Sequence, residues 1–117
     1  MIRMLLAATS FFVACVPPYA NAQAGDALVA RGQKFAELTC AACHVVSASQ
    51  QFAPILRDPA PSFDSIANRP TTTEQSLRAF LTTTHSTISN PNGMPNPQLA
   101  DYQIKEVISY ILSLRRK

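Results

Sequence analysis

Residues 40–44 read Cys40-Ala41-Ala42-Cys43-His44, and this stretch decides how the rest of the chain is read. Upstream, Leu28, Arg31-Gly32, Phe35 and Leu38 fall at three- and four-residue spacing, which predicts a helix over Asp26–Leu38. Asp26 is a suitable cap for its start. A glycine inside a helix costs about 1 kcal/mol against alanine, so Gly32 marks a place where another element comes close. The two cysteines then sit on the last turn of this helix, with both sulfurs on one side and the histidine beside them.

Downstream, residues 45–61 show no periodicity and hold Pro54, Pro59 and Pro61, so they read as loop. Ser62–Asn68 reads as one short helix. Thr71-x-x-Glu74 has the capping-box pattern and precedes Leu77, Phe80 and Leu81, an amphipathic helix over residues 72–84. Residues 86–98 form a second loop with Pro91, Gly93, Pro95 and Pro97. From Asp101 the helical stripe returns as Ile104, Val107, Ile108, Ile111 and Leu112, with Tyr110 on its flank. Arg115, Arg116 and Lys117 close it, as solvated cations at the end of the helix dipole. Strand alternation, internal repeats and low-complexity tracts are missing from this pattern. The expectation is an all-α domain with two long loops, and loops of that length in so small a domain need something to wrap.

The chain has 117 residues, 47% hydrophobic and 15% charged, which fits one globular domain and not a disordered chain. A net charge of +3 without a basic block argues against nucleic acid, and three glycines without a Gly-rich motif argue against a phosphate cradle. Arg3 precedes an uncharged run from Met4 to Val16, too short to span a bilayer. Pro17-Pro18 breaks it, and Ala20-Asn21-Ala22 offers a small-x-small cleavage site. This is the pattern of a signal peptide over residues 1–22, cut after Ala22, leaving 23–117 as the mature domain. A buried N-terminal helix fits the flanks less well. A lipidated Cys15 is a rival that Phe12 disfavours. Loss of Arg3 with the leader lowers the net charge to +2 and leaves Cys40, Cys43 and Met94 as the remaining Cys and Met. Export places the domain in the periplasm, with no stable membrane span after cleavage.

C-x-x-C-H is the spacing of c-type haem attachment. Two thiols add to the two vinyl groups on one haem edge, and the adjacent imidazole faces the iron. A structural disulfide has no use for His44. A thioredoxin-like pair needs a βαβ pattern that the chain lacks, and a zinc site needs a second pair of ligands where only His85 is on offer. The iron then needs a sixth ligand. Met94, in Gly93-Met94-Pro95-Asn96, is the candidate, with Pro95 fixing the backbone beside it. His85 is the rival, giving a bis-His haem; an open sixth site is the third reading. The second ring nitrogen of His44 needs a backbone carbonyl to orient it, and Pro61 and Pro54 both supply one in the loop after the motif.

These residues together resemble a class I monohaem cytochrome c of the small exported bacterial kind, over nearly the whole mature chain. Gly32 matches the family's N-terminal helix glycine and Tyr110 the aromatic of the C-terminal helix that packs over it. Cys40, Cys43 and His44 match the attachment motif and Met94-Pro95 the axial methionine loop. Pro61-Ser62-Phe63 resembles the proximal proline segment, which favours Pro61 over Pro54. The resemblance implies the cytochrome c fold, with crossed N- and C-terminal helices and loops around one covalently bound haem c. It implies His44 and Met94 as metal ligands, one-electron transfer between Fe(II) and Fe(III), and no enzyme activity of its own. It implies redox protein partners: a dehydrogenase or membrane complex as donor, an oxidase or reductase as acceptor. The alternative is a dedicated electron-accepting subunit of a periplasmic dehydrogenase; the protein is a monomer in the first case and part of a complex in the second. Two departures stand out. Ala36 occupies the place where the N-terminal helix often has an aromatic residue, with Phe35 before it, which implies a rotated helix contact. Lys34, Lys105 and Lys117 are the mature chain's full complement of lysines, too few for the ring that serves electrostatic docking in many family members.

Overall fold

The computed structural model describes residues 20–56, 58, 60–85 and 93–116. The expected leader, with Cys15, therefore lies outside the described residues up to position 19, and so does Lys117. The chain runs through four helices, α1 (Ala20–Thr39), α2 (Phe63–Ala67), α3 (Glu74–Leu81) and α4 (Asp101–Ser113). Among the described residues there is no strand, and one isolated parallel bridge joins His44 to Ala60. The all-α expectation holds.

Helix α1 starts six residues before Asp26, so Asp26 lies within the helix and does not cap it. The reason is local: residues 20–25 include alanines and Gln23, good helix formers that carry the helix N-terminally. Its buried face also differs from the predicted stripe. Gly32 and Ala36 are buried while Leu38 is 79% exposed. The small residues, one helical turn apart, are what turn towards α4. A methyl group at Gly32 would stand 2.6 Å from the backbone carbonyl carbon of Glu106 and 2.9 Å from Cβ of Tyr110. Ala36 has no exposed surface at all, which explains why an aromatic ring has no place there. Beside the crossing, Arg31 Nε bonds Glu106 Oε1 at 2.6 Å.

Helix α4 presents the stripe read from the sequence. Ile104, Val107, Ile108 and Ile111 are buried, with Leu112 partly so, and Tyr110 joins them. The Tyr110 hydroxyl donates to Val46 O at 2.8 Å, which ties the chain just past the cysteine motif to the far helix. Burial, reinforced by Glu37, pushes the phenol pKa upward, so it stays a donor. Helices α2 and α3 are short and set by their caps. Ser62 Oγ accepts from Ser65 N at 3.1 Å. At α3 the capping box is Thr73 with Ser76, two residues beyond the Thr71–Glu74 pairing expected from the sequence. Ser76 takes the role because its hydroxyl both accepts from Thr73 N and donates to Thr71 O.

The C-terminal cations do more than close a helix. Arg115 Nε donates to Ala67 O at 3.1 Å, and its terminal nitrogen donates to Thr72 O. Arg116 pairs with Asp64 Oδ2 at 2.6 Å, while Asn68 Nδ2 reaches Leu114 O. Two of the three residues read as a solvated terminus thus hold the end of α2 and its exit segment against α4. The crossing itself yields a first prediction. Gly32→Ala forces a Cβ into the Glu106 backbone, which no side-chain rotation relieves. It should destabilise the haem-loaded protein by about 3 kcal/mol, measured by urea unfolding.

Candidate functional site

The end of α1 passes directly into the motif. Cys40 N continues the helix by donating to Ala36 O at 2.8 Å; Cys43 N and His44 N then both donate to Cys40 O, at 3.1 and 2.9 Å. The chain therefore tightens into a turn that brings Cys40, Cys43 and His44 to one side. All three line a cavity of about 600 Å³. The cysteines are free thiols. Burial, with the neighbouring Cys43 adding to it, pushes the Cys40 thiol up to about 11, so it is neutral at physiological pH.

His44 is held from behind. Its Nδ1 lies 2.7 Å from Pro61 O, and since a carbonyl can only accept, Nδ1 carries the proton. In the neutral imidazole this tautomer leaves Nε2 with its lone pair. Backbone bonds bring the loop round to make this contact: Ile55 N to Ala42 O at 3.0 Å, Ala60 N to Cys43 O at 3.0 Å and Phe63 N to Val45 O at 2.9 Å. The Phe63 ring, buried, tilts against the imidazole with centroids 5.4 Å apart and continues to Tyr110 at 6.3 Å. Of the two prolines offered by the sequence, Pro61 supplies the carbonyl that His44 touches.

The facing parts of the cavity come from elsewhere in the chain. Met94, Pro95, Pro97 and Leu99 contribute one side; Leu77, Phe80 and Leu81 of α3 and Val107 and Ile111 of α4 contribute others. The structure thus brings Cys40, Cys43, His44, Pro61 and Met94 to one cavity. His85 is outside the described lining. Its backbone N donates to Met94 O at 2.8 Å, its ring stacks on Phe80 with centroids 3.8 Å apart, and its Nε2 lies within bonding reach of Thr83 Oγ1 and Phe80 O. Among the described residues no group of three or more His, Cys, Asp or Glu could hold a metal ion alone.

Four polar residues of the α2–α3 connection and the first turn of α3 carry no motif that marks them for the site. Arg69, Thr71, Thr72 and Ser76 give the otherwise apolar cavity a cation and hydroxyls. Thr72, itself buried, donates to Ile66 O at 2.6 Å, which fixes the connection against α2. An isolated arginine before Pro70 and a run of three threonines were the available signal. The donor set fits a haem: one imidazole nitrogen, one thioether sulfur, two thiols on a single turn, and a mainly apolar enclosure with a polar segment.

A family model described as Cytochrome c matches residues 29–115. No curated protein and no solved structure matches the chain. The geometry of the turn makes a prediction about attachment. A Cys40→Ala, Cys43→Ala double variant, expressed with its leader in a haem-ligating periplasm, should lose all haem stain on a denaturing gel, while the parent keeps it.

Proposed function

From the premise that the chain belongs to the cytochrome c family and carries covalent haem c, we propose a periplasmic one-electron carrier with His44 and Met94 as axial ligands. The family's role is electron transport between redox proteins, and what extends it to these residues is the single cavity that receives both thiols, the His44 ring and Met94. When bound, the haem supplies the Fe(II)/Fe(III) couple.

The chain's own residues do the rest. Cys40 and Cys43 would hold the cofactor, their S–H groups adding across its two vinyl groups to give thioethers that keep it from being lost. The Pro61 carbonyl holds the His44 ring and directs its Nε2 lone pair forward. The Met94 thioether is a neutral, weak donor that raises the potential. Leu77, Phe80, Val107 and Ile111 exclude water, and Arg69 with Thr71 and Ser76 offers partners for the cofactor's carboxylates. With His44 and Met94 holding the iron, substrate and oxygen would have no ready access, which fits a carrier rather than an enzyme. The leader, residues 1–22, exports the chain and residues 23–117 form the working domain. Among the described residues no helix is long and apolar enough to cross a membrane. The partners are a dehydrogenase or membrane complex as donor and an oxidase or reductase as acceptor.

A second reading has one observation in its favour. Phe52 and Ile55 are 80% and 84% exposed, and both border a second cavity of about 480 Å³ that includes Ala41 and Ala42 of the motif. An apolar surface so close to the attachment turn suits a dedicated subunit of a periplasmic dehydrogenase. Co-purification with a larger enzyme supports the subunit; isolation as a monomer supports the carrier.

Two outcomes test the proposal. Met94→Ala should lose the thioether-to-ferric-iron charge-transfer band, become high-spin and show a lower potential, whereas His85→Ala should keep the band; the reverse pattern establishes a bis-His haem. Docking charge is the other. Arg115 is spent on two backbone carbonyls and Arg116 on Asp64, and two ionised propionates offset the mature chain's +2. Steering is screened within about 10 Å at 0.1 M salt. Stopped-flow transfer to the partner should therefore vary less than about threefold between low and high salt. A steep fall with salt would show that the free charge has been undervalued.

A further inference from the structure

Asn96 lies in the segment Met94-Pro95-Asn96-Pro97-Gln98. Pro95 and Pro97 have no N–H, so this stretch has few backbone donors of its own with which to hold a shape. Among the described residues, two contacts join it to the end of α3 and the residues just past it. His85 N donates to Met94 O at 2.8 Å, and Asn96 Nδ2 donates to Thr82 O, the C-cap residue of that helix, at 3.0 Å. The same amide works in the other direction: Asn96 Oδ1 accepts from Gln98 N at 2.9 Å. Its orientation is forced, because Thr82 O only accepts and Gln98 N–H only donates. Gln98 has φ 52°, left-handed backbone in a residue other than glycine. Such a conformation persists where surrounding bonds over-determine it, and the Asn96 carbonyl supplies one.

We propose that Asn96 is a positioning residue for the axial Met94: its side-chain amide staples the methionine loop to α3 and fixes the turn that follows. The proposal rests on Met94 as the sixth ligand. Asn96 is exposed and outside the described cavity lining, so it acts on the iron only through the loop. The two attachments lie at Met94 itself and two residues after it. The one from His85 is a backbone bond, which substitution of the imidazole leaves in place; the one from Asn96 depends on its side chain. Without it the loop swings more freely and Met94 spends more time off the iron, where an external ligand can replace it.

The test is titration of the ferric haem-loaded protein with imidazole, followed by its absorption spectrum, for the parent and for Met94→Ala, Asn96→Ala, Asn96→Asp and Arg116→Ala. Met94→Ala calibrates an open site. Asn96→Ala should bind imidazole about tenfold more tightly than the parent, the scale of one or two lost hydrogen bonds. Asn96→Asp keeps the acceptor for Gln98 N–H and loses the donor to Thr82 O, so it should show a similar gain. Arg116→Ala, which breaks the distant pair with Asp64, lowers the melting temperature without changing imidazole affinity; this separates loop positioning from general stability. Parent-like affinity in both Asn96 variants, beside a much tighter Met94→Ala, overturns the staple. A gain in Asn96→Ala without one in Asn96→Asp overturns the Thr82 bond as its cause. If Met94→Ala itself binds no tighter than the parent, the His/Met reading falls and the proposal with it.

Discussion

At Gly32 the backbones of α1 and α4 approach so closely that a methyl group has no room, and much of the molecule is arranged by that approach. It fixes α1, and α1 ends in the cysteine turn. It also fixes α4, whose Val107 and Ile111 face the cavity and whose Tyr110 reaches across to Val46. Helix packing at this distance requires small residues on at least one side. Here Gly32 and Ala36 supply them on α1, and α4 keeps its large residues for the core. The attachment motif and the wall opposite it are thereby placed by one contact, before any loop is considered.

Apart from Val46, the described loop residues bury little apolar surface, and hydrogen bonds do most of the holding. Backbone polar groups in such segments need partners. The first loop finds them by returning to the motif, at Ala42, Cys43 and Val45, so that the bonds which satisfy the loop also carry Pro61 to His44. Gln50 accepts from Val46 N and donates to Phe52 O, closing the early part of the loop on itself. Further on, Arg115 serves at once the carbonyl of Ala67, which ends α2, and that of Thr72 in the α2–α3 connection. A guanidinium suits this because its donors lie in a fixed plane and it remains charged at any physiological pH. The walls of the cavity are thus tied to one another around a space that, in a domain this small, a filled core would otherwise claim.

The readable parts of the sequence were those where pattern and packing share a period. The α4 stripe is one, because a helix buried on one face repeats its apolar residues every three or four positions. The motif is another, because covalent chemistry tolerates no other spacing. Elsewhere competing effects decided. The start of α1 was read too late because Asp26 is a good cap, yet alanine and glutamine ahead of it favour helix just as locally. Leu38 shares the spacing that predicts the helix, but the buried side of α1 is chosen by its small residues. The α3 cap moved to Thr73 because a serine can complete the box as well as a glutamate, and Ser76 also reaches Thr71. Arg115 and Arg116 read as a solvated end because their partners, Ala67, Thr72 and Asp64, lie more than forty positions earlier. The α2–α3 connection and Asn96 gave no periodic signal at all. What they contribute depends on which carbonyl stands opposite, and only the fold supplies that.

The two sides of the cavity are built to different standards of permanence. On the His44 side the chain turns tightly, the ring is tied to Pro61 and flanked by Phe63, and the two thiols of the family's attachment motif share the turn. On the Met94 side, among the described residues, a proline-rich segment meets the end of α3 and the residues after it through a backbone bond and an exposed amide. Local stability within a fold follows the number of buried contacts and satisfied backbone groups, and the described residues place more of these on the His44 side. A carrier gains from this division. The permanent side retains the cofactor through any opening, so a transient loss of the methionine contact costs nothing lasting. If Met94 is the sixth ligand, as proposed, the lighter side decides how closely that position is guarded, and with it whether the protein only passes electrons or also admits a small ligand. That decision rests on a few polar atoms at the surface, where a single substitution can change it without disturbing the helix crossing on which the fold depends.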